Sequence, residues 1–361
     1  LAHAYAGMFH ANLLAVVGRL DDATARVAEG IGQASREGNS LALTTWTVFS
    51  GWVHLAAGRL SAARDAADSL PPPQPTGATE QDVHRMLTLA EVAAHTDNRS
   101  LLQQTANDAR DAHSAGSSPG QHRASAYVLT RAAWYRDDVH EAARWLGDIS
   151  LLGTPLFPHA LVRLILAARV ASAAGDAGLR ARVLQAAEVL ERERPAVPLL
   201  ATVARYARGI LEHDAQALVA VAELLRASSR PLLYASAAED AGAELSRAQR
   251  NVEALGQLNA AFDTYIECGA TADARRVGRA LRGLGVERRI VNHPRAKTGW
   301  DSLTESELTV VHLIAEGATN RSVAQQLHLS PHTVKTHAHN AFAKLGITSR
   351  AQLTQLMRRP D

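Results

Sequence analysis

Between Ser330 and Lys344 the chain carries histidine, lysine and threonine but no carboxylate. If this stretch is a helix turning about 100° per residue, Val334, Ala338, Ala341 and Leu345 share one narrow face, while His332, Lys335, Thr336 and His339 share the opposite one. The aliphatic face must point inward. The acid-free polar face offers hydrogen-bond donors and positive charge with nothing to repel a polyanion. A short helix, a tight turn and a longer helix bearing such a face fit a major groove about 12 Å wide.

Other chemistries find little support. Three of the sixteen histidines, His332, His337 and His339, lie close together, but their spacings of five and two do not give the i, i+4 alignment that lets two imidazoles share an ion. No metal site is therefore expected. Lysine occurs only at 297, 335 and 344, which rules out a GxxxxGK[ST] phosphate loop in these residues, and HExxH, CxxC and GxSxG are absent. The single cysteine, Cys268, reads as a small buried apolar residue and fits a reducing compartment. Glu239, Asp240 and Glu244 read as solvated helix faces. Neither an enzyme nor a bound cofactor is expected.

The elements that would hold the polar face can be traced by their caps. Thr304-Glu305-Ser306-Glu307 is an S/T-x-x-E capping box, with Leu303 and Leu308 placed for a hydrophobic staple. It predicts a helix from Glu305 to about Ala315, stopped by Gly317. A short helix follows from about Asn320, capped by Thr319 or Asn320, and presents Val323, Ala324 and Leu327. Ser330-Pro331 is a capping serine with proline at the first helical position, so a third helix starts at Pro331 and ends before Gly346. Ser349 caps a fourth, whose stripe of Leu353, Leu356 and Met357 either closes the domain or pairs with a second copy.

The preceding 270 residues repeat. Turn signals at Gly18, Gly58, Asp97, Asp137, Asp176, Asp214 and Asn251 are spaced by 40, 39, 40, 39, 38 and 37 residues. Between them run apolar stripes of helical period, for example Val183, Ala186, Ala187 and Leu190. Breaks at Gly38-Asn39, Pro71 to Pro73, Gly116 to Pro119, Gly153 to Pro158, Pro195 and Pro231 give the return turns. A lone helical hairpin cannot bury its apolar side, so about seven of them must stack into a superhelix with a concave groove. The signatures Gly18-Arg19-Leu20-Asp21-Asp22-Ala23 and Gly58-Arg59-Leu60-Ser61-Ala62-Ala63 resemble tetratricopeptide repeats, although the period exceeds their usual 34 residues.

Composition agrees with an all-helical chain: 47% of the 361 residues are hydrophobic but only 4% aromatic, so alanine, leucine and valine dominate. No apolar run is long enough to span a membrane and no signal peptide is evident, which predicts a cytoplasmic protein with no membrane partner. The net charge of +2 announces no polyanion, yet arginines crowd the stretch from Arg275 to Lys297, opposed there by Glu287 alone. Leu1 takes the place of an initiating methionine, so sequence upstream is expected. The organisation expected is a repeat array over 1–285, a basic linker over 286–299 and a terminal domain over 300–361, with the helix-turn-helix at about 318–337.

The terminal residues carry a specific resemblance. Trp300-x-x-Leu303-Thr304-x-x-Glu307, Gly317-x-x-Asn320, Val323-Ala324-x-x-Leu327, Ser330-Pro331-His332-Thr333-Val334-Lys335-Thr336-His337 and Lys344-Leu345-Gly346-Ile347-x-Ser349-Arg350 resemble the LuxR family without a gap. Ser306 and Arg321-Ser322-Val323 depart from its usual pattern, off the third helix. Tyr265-Ile266-x-x-Gly269-Ala270 through Leu281-Arg282-x-Leu284-Gly285-Val286 is similar to the joining segment of large ATP-binding LuxR regulators, in which an ATPase lies upstream. The fold implied is all-α: a tetratricopeptide-like helical-hairpin superhelix followed by a four-helix LuxR-type helix-turn-helix domain.

By that resemblance the protein is a transcriptional regulator that binds double-stranded DNA as a homodimer, one recognition helix (331–345) entering each half-site. Lys335, Thr336, His339 and His332 would face bases, lysine donating to guanine and the threonine methyl meeting thymine. Asn320, Ser330, Thr333, Lys344 and Arg350 would meet phosphates. The repeat groove would receive a small-molecule or protein effector, and RNA polymerase is a further candidate partner. The competing reading is a helical-repeat scaffold whose terminal module no longer binds DNA.

Overall fold

The alternation of left-handed turn residues and helix caps along the chain sets the architecture. In the computed structural model, which describes all residues except 1, 71–78, 115–117, 148–157, 193–196, 289–299, 301–302, 304, 327–330 and 358–361, nineteen helices and no strand occur among the described residues. Two units form, over 1–290 and 291–361. The basic segment 289–299 lies outside the described residues.

In the first unit the helices pair as α1 (Ala2–Val16) with α2 (Leu20–Arg36), α3 (Ser40–Ala56) with α4 (Leu60–Asp68), α5 (Glu80–Thr96) with α6 (Arg99–Ser114), and α7 (Pro119–Tyr135) with α8 (Val139–Gly147). The pairs α9 (Pro158–Ala174) with α10 (Ala177–Arg192), α11 (Pro198–Glu212) with α12 (Ala215–Arg226), and α13 (Pro231–Arg247) with α14 (Asn251–Glu267) follow, and α15 (Thr271–Gly283) ends the unit. Every turn inside a pair holds one residue at positive φ: Gly18, Gly58, Asp97, Asp137, Gly175, His213 and Gln249. In four of them an Asn or Asp follows at once and caps the second helix, as Asp214 does by accepting from the Ala217 N–H at 2.9 Å. Such a cap satisfies a backbone donor that the helix itself leaves open. In the last pair the left-handed residue is Gln249, two positions before the Asn251 that the spacing marks.

Small residues let the helices approach closely. Ala90, Ala132, Ala168, Ala207, Ala238 and Ala261 are buried to within 1% and belong to one continuous core that runs from α4 to α15. The amino-terminal hairpin and α3 share a second core built around Trp46, Phe49 and Trp52.

The array is not an open spiral in which each repeat touches only its neighbours. It curls until its ends meet its middle: α15 packs on α5, α13 on α3, and α9 on α1 and α3. Arg230 Nη2 donates to the Ala15 carbonyl at 2.5 Å, and Ser229 Oγ donates to that of Gly18 at 2.9 Å. Thr271 Oγ1 donates to the Thr96 carbonyl at 3.3 Å, and Arg275 pairs with Asp97.

The closure buries charge, and this corrects the expectation that Glu239, Asp240 and Glu244 are solvated. Asp240 Oδ2 accepts from Tyr206 Oη at 2.7 Å and from Arg169 Nη2 at 2.8 Å. Glu239 accepts from Tyr265 Oη at 2.9 Å and pairs with Arg276. Glu244 pairs with Arg247 and with His213 Nδ1 at 2.9 Å. Glu239 and Asp240 bond to side chains of other helices, and Glu244 to Arg247 on its own helix and to His213 at the end of α11; all three side chains are at most 22% exposed.

A second charged cluster lies at the seam. Glu91 accepts from Tyr127 Oη at 2.6 Å and from Arg131 Nε at 3.3 Å, while His95 sits between Glu91 and Asp273. Burial drives the Asp273 carboxyl upward, but His95, Arg276 and Arg131 more than offset it and hold the group well below the ordinary carboxylate range.

Candidate nucleic-acid interface

The second unit is built on four helices: α16 (Glu305–Ala315), α17 (Asn320–Gln326), α18 (Pro331–Leu345) and α19 (Arg350–Met357). Leu303, Val310, Val311, Ile314, Val323, Ala324, Val334, Ala338, Ala341 and Leu353 form its core. Three of these, Val334, Ala338 and Ala341, are the inward stripe of α18 that the sequence predicts, and Leu345 joins them half-buried. Leu353 turns the fourth helix onto the same core, whereas Met357 stays 40% exposed.

The turns are set by local bonding. Gly317, at φ 97°, ends α16 while the Ala318 N–H donates to the Leu313 carbonyl at 3.0 Å. Thr319 Oγ1 then accepts from the Ser322 N–H at 3.1 Å, which identifies Thr319 as the cap of α17. After α18, Gly346 takes φ 66° and the Ile347 N–H donates to the Phe342 carbonyl at 3.0 Å. Ser349 caps α19 through the Gln352 N–H. Thr304, the first half of the expected capping box, lies outside the described residues.

Helix α18 keeps Lys335 and His339 exposed, one turn apart on the side opposite Val334 and Ala341. His332, Thr333 and Thr336 are on the same helix, described in their backbone only, and Ser330 lies outside the described residues. Lys344 is engaged within the domain: its Nζ meets Glu307 Oε2 at 2.6 Å, and the Glu307 side chain is only 5% exposed. Arg350 likewise turns inward along the surface, donating through Nη1 to the Ala318 carbonyl at 2.8 Å and through Nη2 to Asn320 Oδ1 at 2.5 Å. Asn320 and Arg350 thus come together, and both hold the start of α17 in place. Lys344 and Arg350, expected at phosphates, are each already bonded to their own domain.

One cation escaped the sequence reading. Arg321, noted there only as a departure from the usual pattern, is exposed in the first turn of α17, the helix before α18. Its position beside the cap was the available signal, because the first helix of such a pair crosses the backbone of a duplex.

A short helix and a longer one, four residues apart in sequence and packed on a common core, make a helix-turn-helix, and the carboxy-terminal unit contains one. Residues 301–357 match the model of bacterial regulatory proteins of the luxR family, so this domain belongs to that family. Over 307 residues, 83% of the chain, the sequence is 29% identical to proteins of Mycobacterium bovis and of Mycobacterium tuberculosis strain H37Rv that are provisionally named HTH-type transcriptional regulators. The aligned part is 28% of their length, so the chain spans less than a third of those relatives. The terminal domain alone is 44% identical over 52 residues to the transcriptional regulatory protein LiaR of Bacillus subtilis, covering 14% of this chain and 25% of LiaR. It is 44% identical over 54 residues to the nitrate/nitrite response regulator protein NarP of Escherichia coli, covering 15% of this chain and 25% of NarP. No solved structure matches the chain.

Proposed function

We propose that the protein is a sequence-specific DNA-binding transcriptional regulator, in which α18 reads the major groove and the helical array receives the signal that controls it. The observation that carries this reading is the two-sidedness of α18. Its aliphatic stripe is locked into the core, while Lys335 and His339 stand exposed on a helix that carries no carboxylate.

On this reading Lys335 donates to guanine O6 and N7, with Thr336, His339 and His332 beside it on the base-facing side. Thr333, Ser330 and Arg321 take phosphates. Asn320, Lys344 and Arg350 act chiefly by fixing α17 and α18 at the angle the groove requires. Two copies bind an inverted repeat, one α18 per half-site, in the cytoplasm. The names of the mycobacterial relatives and of LiaR and NarP support the regulatory role.

A gel-shift titration on DNA selected from a random library tests the proposal. Lys335→Ala should lose about 1 to 3 kcal/mol of affinity for the selected site and relax the preference at one base position. Affinity unchanged by that substitution would remove α18 from the interface.

A further inference from the structure

Closure of the array leaves a chamber of about 990 Å³ on its inner side, lined by residues from α5 through α15. This is at the upper end of the range for small-molecule sites, roughly 300 to 1,000 Å³. Its wall is strongly charged: eight arginines face five carboxylates, Asp97, Asp137, Glu239, Asp240 and Glu244.

Four of the carboxylates are already satisfied. Glu239 pairs with Arg276, Asp240 with Arg169, and Glu244 with Arg247. Asp97 serves two arginines, Arg275 and Arg99, and also accepts from Tyr135 Oη. The fifth, Asp137, is in no ion pair among the described residues, and the arginines left over meet no other acid of the chamber wall. Arg136 is paired with Glu141 and Arg131 with Glu91, neither of which lines it. Arg279, exposed on α15, has no hydrogen-bond or ion-pair partner among the described residues.

A recess with surplus guanidinium groups and low-dielectric walls concentrates anions, and guanidinium forks match phosphate and carboxylate oxygens in pairs. We propose that the chamber binds a small polyanion, a metabolite carrying two or more phosphate or carboxylate groups, held by Arg279 and Arg136 with Arg99 at its rim. This deepens the reading of the array as a signal receiver and rests on it. An anion seated there bridges α6 and α7 to α15, across the seam that Arg275 and Asp97 close. The seam and the ligand therefore stabilise the same closed form, and α15 is the last helix before the chain runs on towards the DNA-binding domain.

Calorimetric titration of the full chain without DNA, with inorganic pyrophosphate and with citrate as separate probes, tests this. At least one should bind, and the tighter of the two tells phosphate from carboxylate recognition. Arg279→Ala and Arg136→Ala should each weaken it about tenfold or more, as expected for a lost charge-assisted hydrogen bond. Arg36→Ala, on the exposed side of α2 and outside the chamber, should leave it unchanged. Among the described residues neither Arg279 nor Arg36 is in an ion pair, so these two variants should melt at the wild-type temperature. Binding of neither anion, equal loss in the Arg36 variant, or equally tight binding of spermidine would overturn the proposal. Because the titration omits DNA, its failure leaves the DNA-reading assignment of Lys335 untouched, and failure of the gel shift leaves the chamber untouched.

Discussion

His95 Nδ1 lies 2.6 Å from Asp273 Oδ2, across 178 residues of intervening sequence. The pair joins α5 to α15 and is nearly sealed from water, with side-chain exposures of 15% and 5%. Around it Glu91, Arg131, Arg276 and Glu239 extend the charged contacts over α5 and α7 on one side and α13 and α15 on the other.

Removing one member of such a set strands the others in a poorly solvated place. Asp273→Ala should therefore destabilise the array by about 3 to 5 kcal/mol, read by urea unfolding of the full chain. The same variant should expose the α5 and α15 seam to limited proteolysis. A cost below about 1 kcal/mol would show that the seam is held by apolar contact alone.

Lys344 and Arg321 make opposite predictions for DNA binding. Arg321→Ala should weaken binding to all sequences alike and flatten the slope of log K against log salt by roughly 0.9, the mark of one phosphate contact. Lys344→Met should lower the thermal stability of the helix-turn-helix domain, because the buried Glu307 carboxylate loses the lysine's charge, yet leave the salt slope where it was. A flattened slope in the Lys344 variant would return that lysine to the phosphates.

His84 predicts a dependence on pH. Burial, and secondarily Arg163, lower its pKa to about 4, from an ordinary value near 6.5. As pH falls below about 6.5 the unfolded chain takes up a proton at this site that the folded chain refuses, so folding stability present at neutral pH is lost progressively down to about pH 4. The loss amounts to at most about 3 kcal/mol. Urea unfolding at pH 7 and pH 4.5 should show it, and His84→Gln should remove that share of the difference. An unaltered pH dependence in the variant would mean that other groups are responsible.

The meeting of the array's ends can be probed at Gly58. A Cβ there would lie 2.7 Å from Pro231 Cγ and 2.8 Å from Cys268 Sγ, and φ is +73°. Gly38 has φ +62° but open space around it. Both should lose about 1 to 2 kcal/mol on substitution by alanine through backbone strain. Gly58→Ala should cost more than Gly38→Ala in the same unfolding experiment, and equal costs would argue that the contact between turn and hairpin yields freely.

Much of this was legible in the residues, and the part that was not has a common cause. The hairpin period shows because each turn needs its own left-handed residue, followed in four of the seven by a cap, signals that act within a few positions. The α18 stripe and the cap at Ser349 show for the same reason, as does a cap at Thr319 or Asn320, between which the Ser322 N–H decides for Thr319. The curling of the array does not, because Glu239, Asp240 and Glu244 look locally like any acidic helix face. Only the arrival of Arg169, Tyr206, Tyr265 and Arg276 from other helices gives Glu239 and Asp240 their partners, as that of His213 completes Glu244. In the terminal domain the sequence names Lys344 and Arg350 as cations but not what they hold, since Glu307 and Asn320 lie 37 and 30 residues away.

The fit of the Gly58 turn against Pro231 and Cys268 also constrains how this architecture can change over time. An open solenoid can gain or lose a unit at little cost, since each unit needs only the one before it. Here a hairpin inserted or deleted between α6 and α13 would slide Gly58 and Pro231 out of register and pull Arg275 away from Asp97. The count of repeats is thereby tied to the geometry of the whole, as the number of staves is to a barrel.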